Sequence, residues 1–297
     1  MTPPSWLRTI VTFLFILSAN LRTVNADAAF LDVRTGQDKD HSGKLGDPKD
    51  KYFHESHFHP HYDGRFSVQE VGKEERLPHL TALMQTFLST MADIGAETWI
   101  MHGTLLGWWW NQKIFPWDSD IDVQVTESTI SFLAKYYNMT EYHYLLPGVP
   151  NGRTYLLEIN PHYVIRDQRD RLNVIDARWI DTENGLFIDI STVRPDEAKR
   201  KQGIEGALMC KDKHHYNERD IFPLRDSFFE GIHVKIPFEY TNLLVEEYGQ
   251  QALVKTVFQK HKFNDTSKLW DPLPQRGVAS DPRKTKARLG GKPARPP

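Results

Sequence analysis

Three carboxylates, Asp118, Asp120 and Asp122, stand two residues apart in the run Trp117-Asp118-Ser119-Asp120-Ile121-Asp122-Val123-Gln124-Val125. Alternation of acidic and apolar residues from Trp117 to Val125 has the period of a strand, which turns the acids to one face and Ile121, Val123 and Val125 to the other. Same-face neighbours then stand ~6.6 Å apart, at ~3.3 Å of rise per residue. Carboxylates leaning together at that spacing can hold a hard cation through oxygen. The plain alternative is a solvated edge strand whose acids deter pairing with other chains. Upstream lies His102-Gly103-Thr104-Leu105-Leu106-Gly107. Glycines at a strand-to-helix turn let backbone N–H groups approach phosphate oxygens, so His102, Gly103, Thr104 and Gly107 form a candidate phosphate cradle. Lys113, Arg153, Arg166 and Arg178 are candidates to hold a diphosphate. A phosphate cradle beside a metal clamp is what phosphoryl transfer requires.

The elements that must position these residues follow from periodicity. From Leu77 to Ile94, Leu80, Leu83, Met84, Phe87, Leu88 and Met91 recur three and four apart, an amphipathic helix that Gly95 stops. Glu97 to Met101 is expected as a strand, Thr104 to Trp110 as a short helix and Thr126 to Tyr137 as another helix. Tyr155–Ile159, Tyr163–Arg166 and Ala177–Thr192 are expected strands, the last folded into a hairpin at Asn184-Gly185. Tyr240 to Tyr248 closes the series as a helix before Gly249. Helices and strands interleave, so the expected class is α/β with a mixed α+β sheet.

The 297 residues carry a net charge of −2, which lacks the basic excess of a nucleic-acid binder. Residues 1–26 have the layout of a secretory signal, with Arg8, an apolar run Ile10–Leu17 and a small-residue end at Ala26. Cleavage near Ala26 is expected; the alternative is an uncleaved anchor, for which the apolar run is short of the ~20 residues that span a bilayer. Asn138-Met139-Thr140 and Asn264-Asp265-Thr266 are glycosylation triplets, in keeping with the Golgi lumen or secretion. A single cysteine, Cys210, rules out an intramolecular disulfide. Residues 27–75 are expected as an irregular His-rich arm, 76–275 as the domain and 276–297 as a disordered tail with seven basic residues and one acid.

Together, His102-Gly103-Thr104-Leu105-Leu106-Gly107 and Pro116-Trp117-Asp118-Ser119-Asp120-Ile121-Asp122 resemble the LicD family. That family includes bacterial phosphocholine transferases, fukutin, fukutin-related protein and fungal mannosylphosphorylation proteins. The resemblance runs from about Leu77 to Gly249, through Phe222-Pro223-Leu224, Phe229-Glu230-Gly231-Ile232 and Tyr248-Gly249. It implies a nucleotidyltransferase-like fold with flanking helices, binding Mg²⁺ or Mn²⁺ through an Asp-x-Asp pair and a third acid on a neighbouring strand. Asp120 and Asp122 match the pair, and Asp118 matches an additional acid. Asp189, within Phe187-Ile188-Asp189-Ile190, best fits the third, with Asp181 as the fallback. The implied partners are a nucleotide-linked donor, GDP-mannose or CDP-linked, and a glycan acceptor. Trp110 departs from the family, which has an arginine there, so the donor's phosphate contact is expected to differ. Three adjacent tryptophans, Trp108-Trp109-Trp110, cannot share one helix face, so one is expected to stack on a base or sugar or to pack on the arm.

His54, His57, His59 and His61 lie within eight residues of the arm and have no cysteine near them. Structural zinc sites pair well-separated ligands or use cysteine. Aromatic packing of the arm, metal binding and acceptor contact all stand as readings of this cluster.

Overall fold

A computed structural model describes residues 23–24 and 40–274. The signal reading lies outside the described residues apart from Thr23–Val24, and the basic tail lies outside them as well. Residues up to Val254 make one compact unit, and a second begins at Lys255.

The first unit is built on a nine-stranded sheet. Its strands are β1 (Thr23–Val24), β2 (Thr98–Ile100), β3 (Asp122–Thr126), β4 (Thr140–Tyr144), β5 (Arg153–Ile159), β6 (Ala177–Asp181), β7 (Phe187–Pro195), β8 (Ala207–Met209) and β9 (His215–Asn217). The spatial order is β1-β4-β5-β6-β7-β3-β2, with β8 on the far end of β7 and β9 on β8. Among the described strands β3 and β7 pair parallel and the other neighbours antiparallel, so the sheet is mixed. A separate ribbon joins β10 (Arg225–Phe229) to β11 (Ile232–Ile236).

Helices α1 (Lys73–Asp93), α2 (His102–Asn111), α3 (Glu127–Tyr136), α4 (Glu197–Lys201), α5 (Glu218–Ile221) and α6 (Tyr240–Tyr248) complete the unit. Helix α1 buries the stripe that its periodicity marks, Leu80, Leu83, Met84 and Phe87, in one core with Trp99, Tyr155 and Trp179. At ~1.5–3 kcal/mol for each large apolar side chain, that stripe accounts for far more stabilisation than helix propensity. No helix among the described residues is long and apolar enough to cross a membrane.

Two expectations from periodicity need correction. Tyr163–Arg166 is not a strand: Pro161 has no N–H to give a ladder, and the Asn160 side chain accepts from His162 N, starting a 3₁₀ turn over Pro161–Val164. The acidic strand begins at Asp122, not Trp117. Its partner β2 ends at Ile100 opposite Val123, because the chain turns into α2 at His102. Without a β2 ladder Asp118, Ser119 and Asp120 form an irregular approach, in which Asp118 N donates to Phe115 O, and Asp189 N donates to Ile121 O just beyond it.

The Asn184-Gly185 hairpin forms between β6 and β7, with Gly185 at φ +80°. A Cβ on Gly185 would stand 2.6 Å from Asp63 O, because the arm docks there: Asp63 N donates to Gly185 O, and Tyr62 bridges to Leu186. Arm residues Phe53, Tyr62, Arg65 and Phe66 are buried, and Arg65 bonds both Asp63 and Glu158. The second unit is a three-stranded meander of β12 (Val257–Phe258), β13 (His261–Asn264) and β14 (Leu269–Pro272), with Phe263 packed on Trp270.

Candidate active site

Parallel pairing sets Asp122 on β3 directly opposite Asp189 on β7. This is the juxtaposition on which a third acid depends, and it separates Asp189 from the fallback. Asp181 lies at the far end of β6, opposite Tyr155, where it accepts from Arg153 at 2.7 Å and caps the hairpin turn.

Asp118 and Asp120, just before β3, come together with Asp122, its first residue, and the three repel one another. Burial, with Asp120 and Asp122 adding to it, pushes the Asp118 carboxyl up to about 8. Burial also pushes Asp122 up to about 8, helped by Asp189, Asp120 and Asp212 and opposed by His102. Asp189 is raised by burial against the pull of Arg178. Arg178 Nε donates to Asp189 at 2.8 Å and another of its nitrogens to Glu55 of the arm at 2.7 Å. The guanidinium is buried between the Phe53 and Phe187 rings. Carboxylates so gathered, carrying more negative charge than the one buried arginine offsets, suit a hard divalent cation with oxygen ligands.

The arm reaches this loop as well. His61 Nδ1 and Ser119 Oγ share a hydrogen bond of 2.7 Å, and His61 Nε2 stands 3.8 Å from Asp120. His59 stays beside His61, accepting from His61 N and packing edge-on against its ring, whereas His54 goes to Asp47 and His57 to the His41 carbonyl.

The glycine-rich turn opens α2 with no side-chain cap on its first amides. Thr104 Oγ1 accepts from Asp122 N at 2.9 Å, so its hydroxyl ties the turn to the acidic strand. His102 directs Nδ1 to Glu247 at 2.9 Å and Nε2 toward Asp212 at 3.8 Å. Burial disfavours its imidazolium, but Glu247, Asp122 and Asp212 hold it above the usual histidine range. Gly103 has room around it, whereas a Cβ on Gly107 would stand 2.6 Å from Lys113 O. Gly107 therefore lets the chain fold back tightly after α2. Gly107→Ala is expected to cost ~1–2 kcal/mol, overpacking outweighing the better helix propensity. Thermal unfolding checks this, and an unchanged or higher Tm would show that the turn yields freely.

The basic candidates are held in ion pairs: Lys113 stands 3.9 Å from Glu230, Arg153 pairs with Asp181, and Arg166 with Glu127. Trp108 and Trp110 pack on C-terminal elements. Trp108 donates to Ser227 and stacks edge-on to Tyr240, and Trp110 donates to Ala252 O at 3.0 Å. Sequence reasoning missed Asp212, His214, Glu247 and Arg76. Arg76 donates to Trp117 O and draws on Asp118, and no spacing signal links any of these to the acidic run.

Residues 95–239 match the nucleotidyltransferase domain described as LicD/FKTN/FKRP. Mannosyltransferase regulator 4 of Saccharomyces cerevisiae is 35% identical over 136 residues, which are 44% of this chain and 11% of that protein. Mannosyltransferase regulator 14 of the same yeast is 34% identical over 125 residues, 41% of this chain and 13% of that protein. The aligned part thus spans only about an eighth of each yeast relative. With the motifs, the mixed sheet and the matched domain in agreement, residues 95–239 are a LicD-type nucleotidyltransferase domain.

Proposed function

We propose that this protein is a metal-dependent transferase that moves a phosphorylated group from a nucleotide-linked donor to a glycan acceptor in the secretory pathway, within the Golgi lumen or after secretion. The observation that carries the reading is the register of Asp122 with Asp189 beside Asp118 and Asp120, a set of acids whose charge calls for a cation. Asp120, Asp122 and Asp189 would hold Mg²⁺ or Mn²⁺, which when bound neutralises a donor diphosphate and polarises its phosphorus. The α2 N-terminus, with Gly103 and Thr104, offers backbone N–H groups to donor phosphate oxygens. Asp118, whose carboxyl sits near the operating pH, is suited to take the acceptor hydroxyl's proton. Resemblance to the fungal mannosylphosphorylation proteins favours mannose 1-phosphate from GDP-mannose; choline or alditol phosphate from a CDP-linked donor would suit the same acids.

A second reading is a non-catalytic accessory that assists a mannosylphosphate transferase. It is favoured by the names of the yeast relatives and by Trp110, whose indole is held by Ala252 where the family has an arginine. Calorimetric titration of the purified chain with GDP-mannose, CDP-choline and CDP-ribitol, with and without Mn²⁺, separates the two. The transferase reading expects one donor to bind only with Mn²⁺, and the Asp120→Ala, Asp122→Ala double variant to lose it. Metal-independent binding, or none, would favour the accessory.

A further inference from the structure

His102, Asp212 and His214 present one ligand atom each, all within 4.8 Å of one another, a convergence of metal-ligating side chains apart from the acids assigned above. They come from two places in the fold: His102 opens α2, while Asp212 and His214 lie in the turn between β8 and β9. Asp212 Oδ2 stands 3.8 Å from His102 Nε2 and 3.9 Å from His214 Nε2. The two imidazole rings lie 4.4 Å apart, centre to centre.

His102 is only 8% exposed, and its Nε2 has no hydrogen-bond partner. A buried ring nitrogen aimed at a carboxylate and a second imidazole, and bonded to neither, is costly to leave so. Its other nitrogen, Nδ1, is bonded to the Glu247 carboxylate at 2.9 Å. That bond directs Nε2 into the cluster, the arrangement by which a carboxylate orients a metal-binding histidine and raises its basicity.

We propose that His102 Nε2, His214 Nε2 and the Asp212 carboxylate bind a transition cation of the Zn²⁺ class, with Glu247 as the positioning residue behind His102. Two imidazoles and one carboxylate are a donor set that favours such an ion over Mg²⁺. Ligands about 2.0 Å from a tetrahedral ion stand ~3.3 Å apart, so each histidine closes on Asp212 by about half an ångström. Three protein ligands leave a fourth position, and an open cavity of about 330 Å³ beside the cluster, lined in part by Met101, His214, Tyr216, Leu243 and Glu247, gives it access. The ion would fasten the β8–β9 turn to α2 beside Asp122. This site stands whether the chain is a transferase or an accessory.

The test is metal binding, not activity. Metal-stripped full-length protein is titrated with Co²⁺ and its visible absorption followed, and Zn²⁺ retained after dialysis is counted by mass spectrometry. One equivalent of Zn²⁺, an intense four-coordinate Co²⁺ band and displacement of Co²⁺ by Zn²⁺ are expected. His214→Ala and Asp212→Asn should each abolish the band, while Glu247→Gln weakens binding ~10–100-fold. The Asp120→Asn, Asp122→Asn variant should keep the band. His214 is partly exposed, so its variant folds as the wild type does by circular dichroism. Absence of stoichiometric Zn²⁺ and of the Co²⁺ band in the wild type would overturn the proposal, as would a band that survives His214→Ala or disappears in the Asp120→Asn, Asp122→Asn protein.

Discussion

Asp122→Asn is expected to make the metal-free protein more stable while abolishing its stabilisation by Mn²⁺. With Asp118 and Asp122 carboxyls near 8 in the fold against 3.8 for an ordinary aspartate, the folded chain binds more protons than the unfolded one. The contribution is therefore fully present below about pH 4 and is lost as pH rises through 8. In EDTA, urea-unfolding free energy should fall between pH 5 and 8 by ~1 kcal/mol or more per pH unit, since each group that titrates contributes about 1.4. Neutral Asn removes one of the two groups, halving the slope and adding ~1–3 kcal/mol at pH 8. In the wild type, Mn²⁺ at a hundred times its Kd should restore ~2.7 kcal/mol, and close to none in Asp122→Asn. A variant less stable than wild type in EDTA at pH 8, or one still stabilised by Mn²⁺, would show that Asp122 holds the fold rather than a cation.

Arg178→Met should have the larger cost in stability, ~3–5 kcal/mol by urea denaturation. Arg178 is 3% exposed and bonded to Asp189 and Glu55, so its loss leaves a buried carboxylate unpaired beside Asp122. Methionine keeps much of the apolar contact with Phe53 and Phe187, which assigns the loss to charge rather than volume. Because Glu55 belongs to the arm, faster proteolysis within residues 40–72 is expected alongside. Adding Asp189→Asn should recover part of the stability, a coupling that a double-mutant cycle measures. A cost under ~1 kcal/mol with no coupling would mean that the pair is screened by solvent.

Local periodicity determined much of this protein. The stripe of α1, the turn opening α2, the Asn184-Gly185 hairpin and the strand that carries Asp122, Val123 and Val125 were all legible, because side-chain direction follows backbone period over a few residues. Where strands end was not legible, since that depends on the neighbour: β3 starts at Asp122 because β2 has turned into α2 by His102. Nor was the company each acid keeps. Arg178 reads in sequence as a surface base, and parallel and antiparallel pairing on the two edges of β7 make it the buried partner of Asp189. His102 and Glu247 lie 145 residues apart, and Asp212 and His214 join them only through the β8–β9 turn. Such contacts carry no local spacing because they are formed by the packing of whole elements. The sequence alone thus determined which residues could hold charge and on which segments they lie, and the tertiary structure decided which charges face each other, because burial and pairing exist only once distant strands share a sheet.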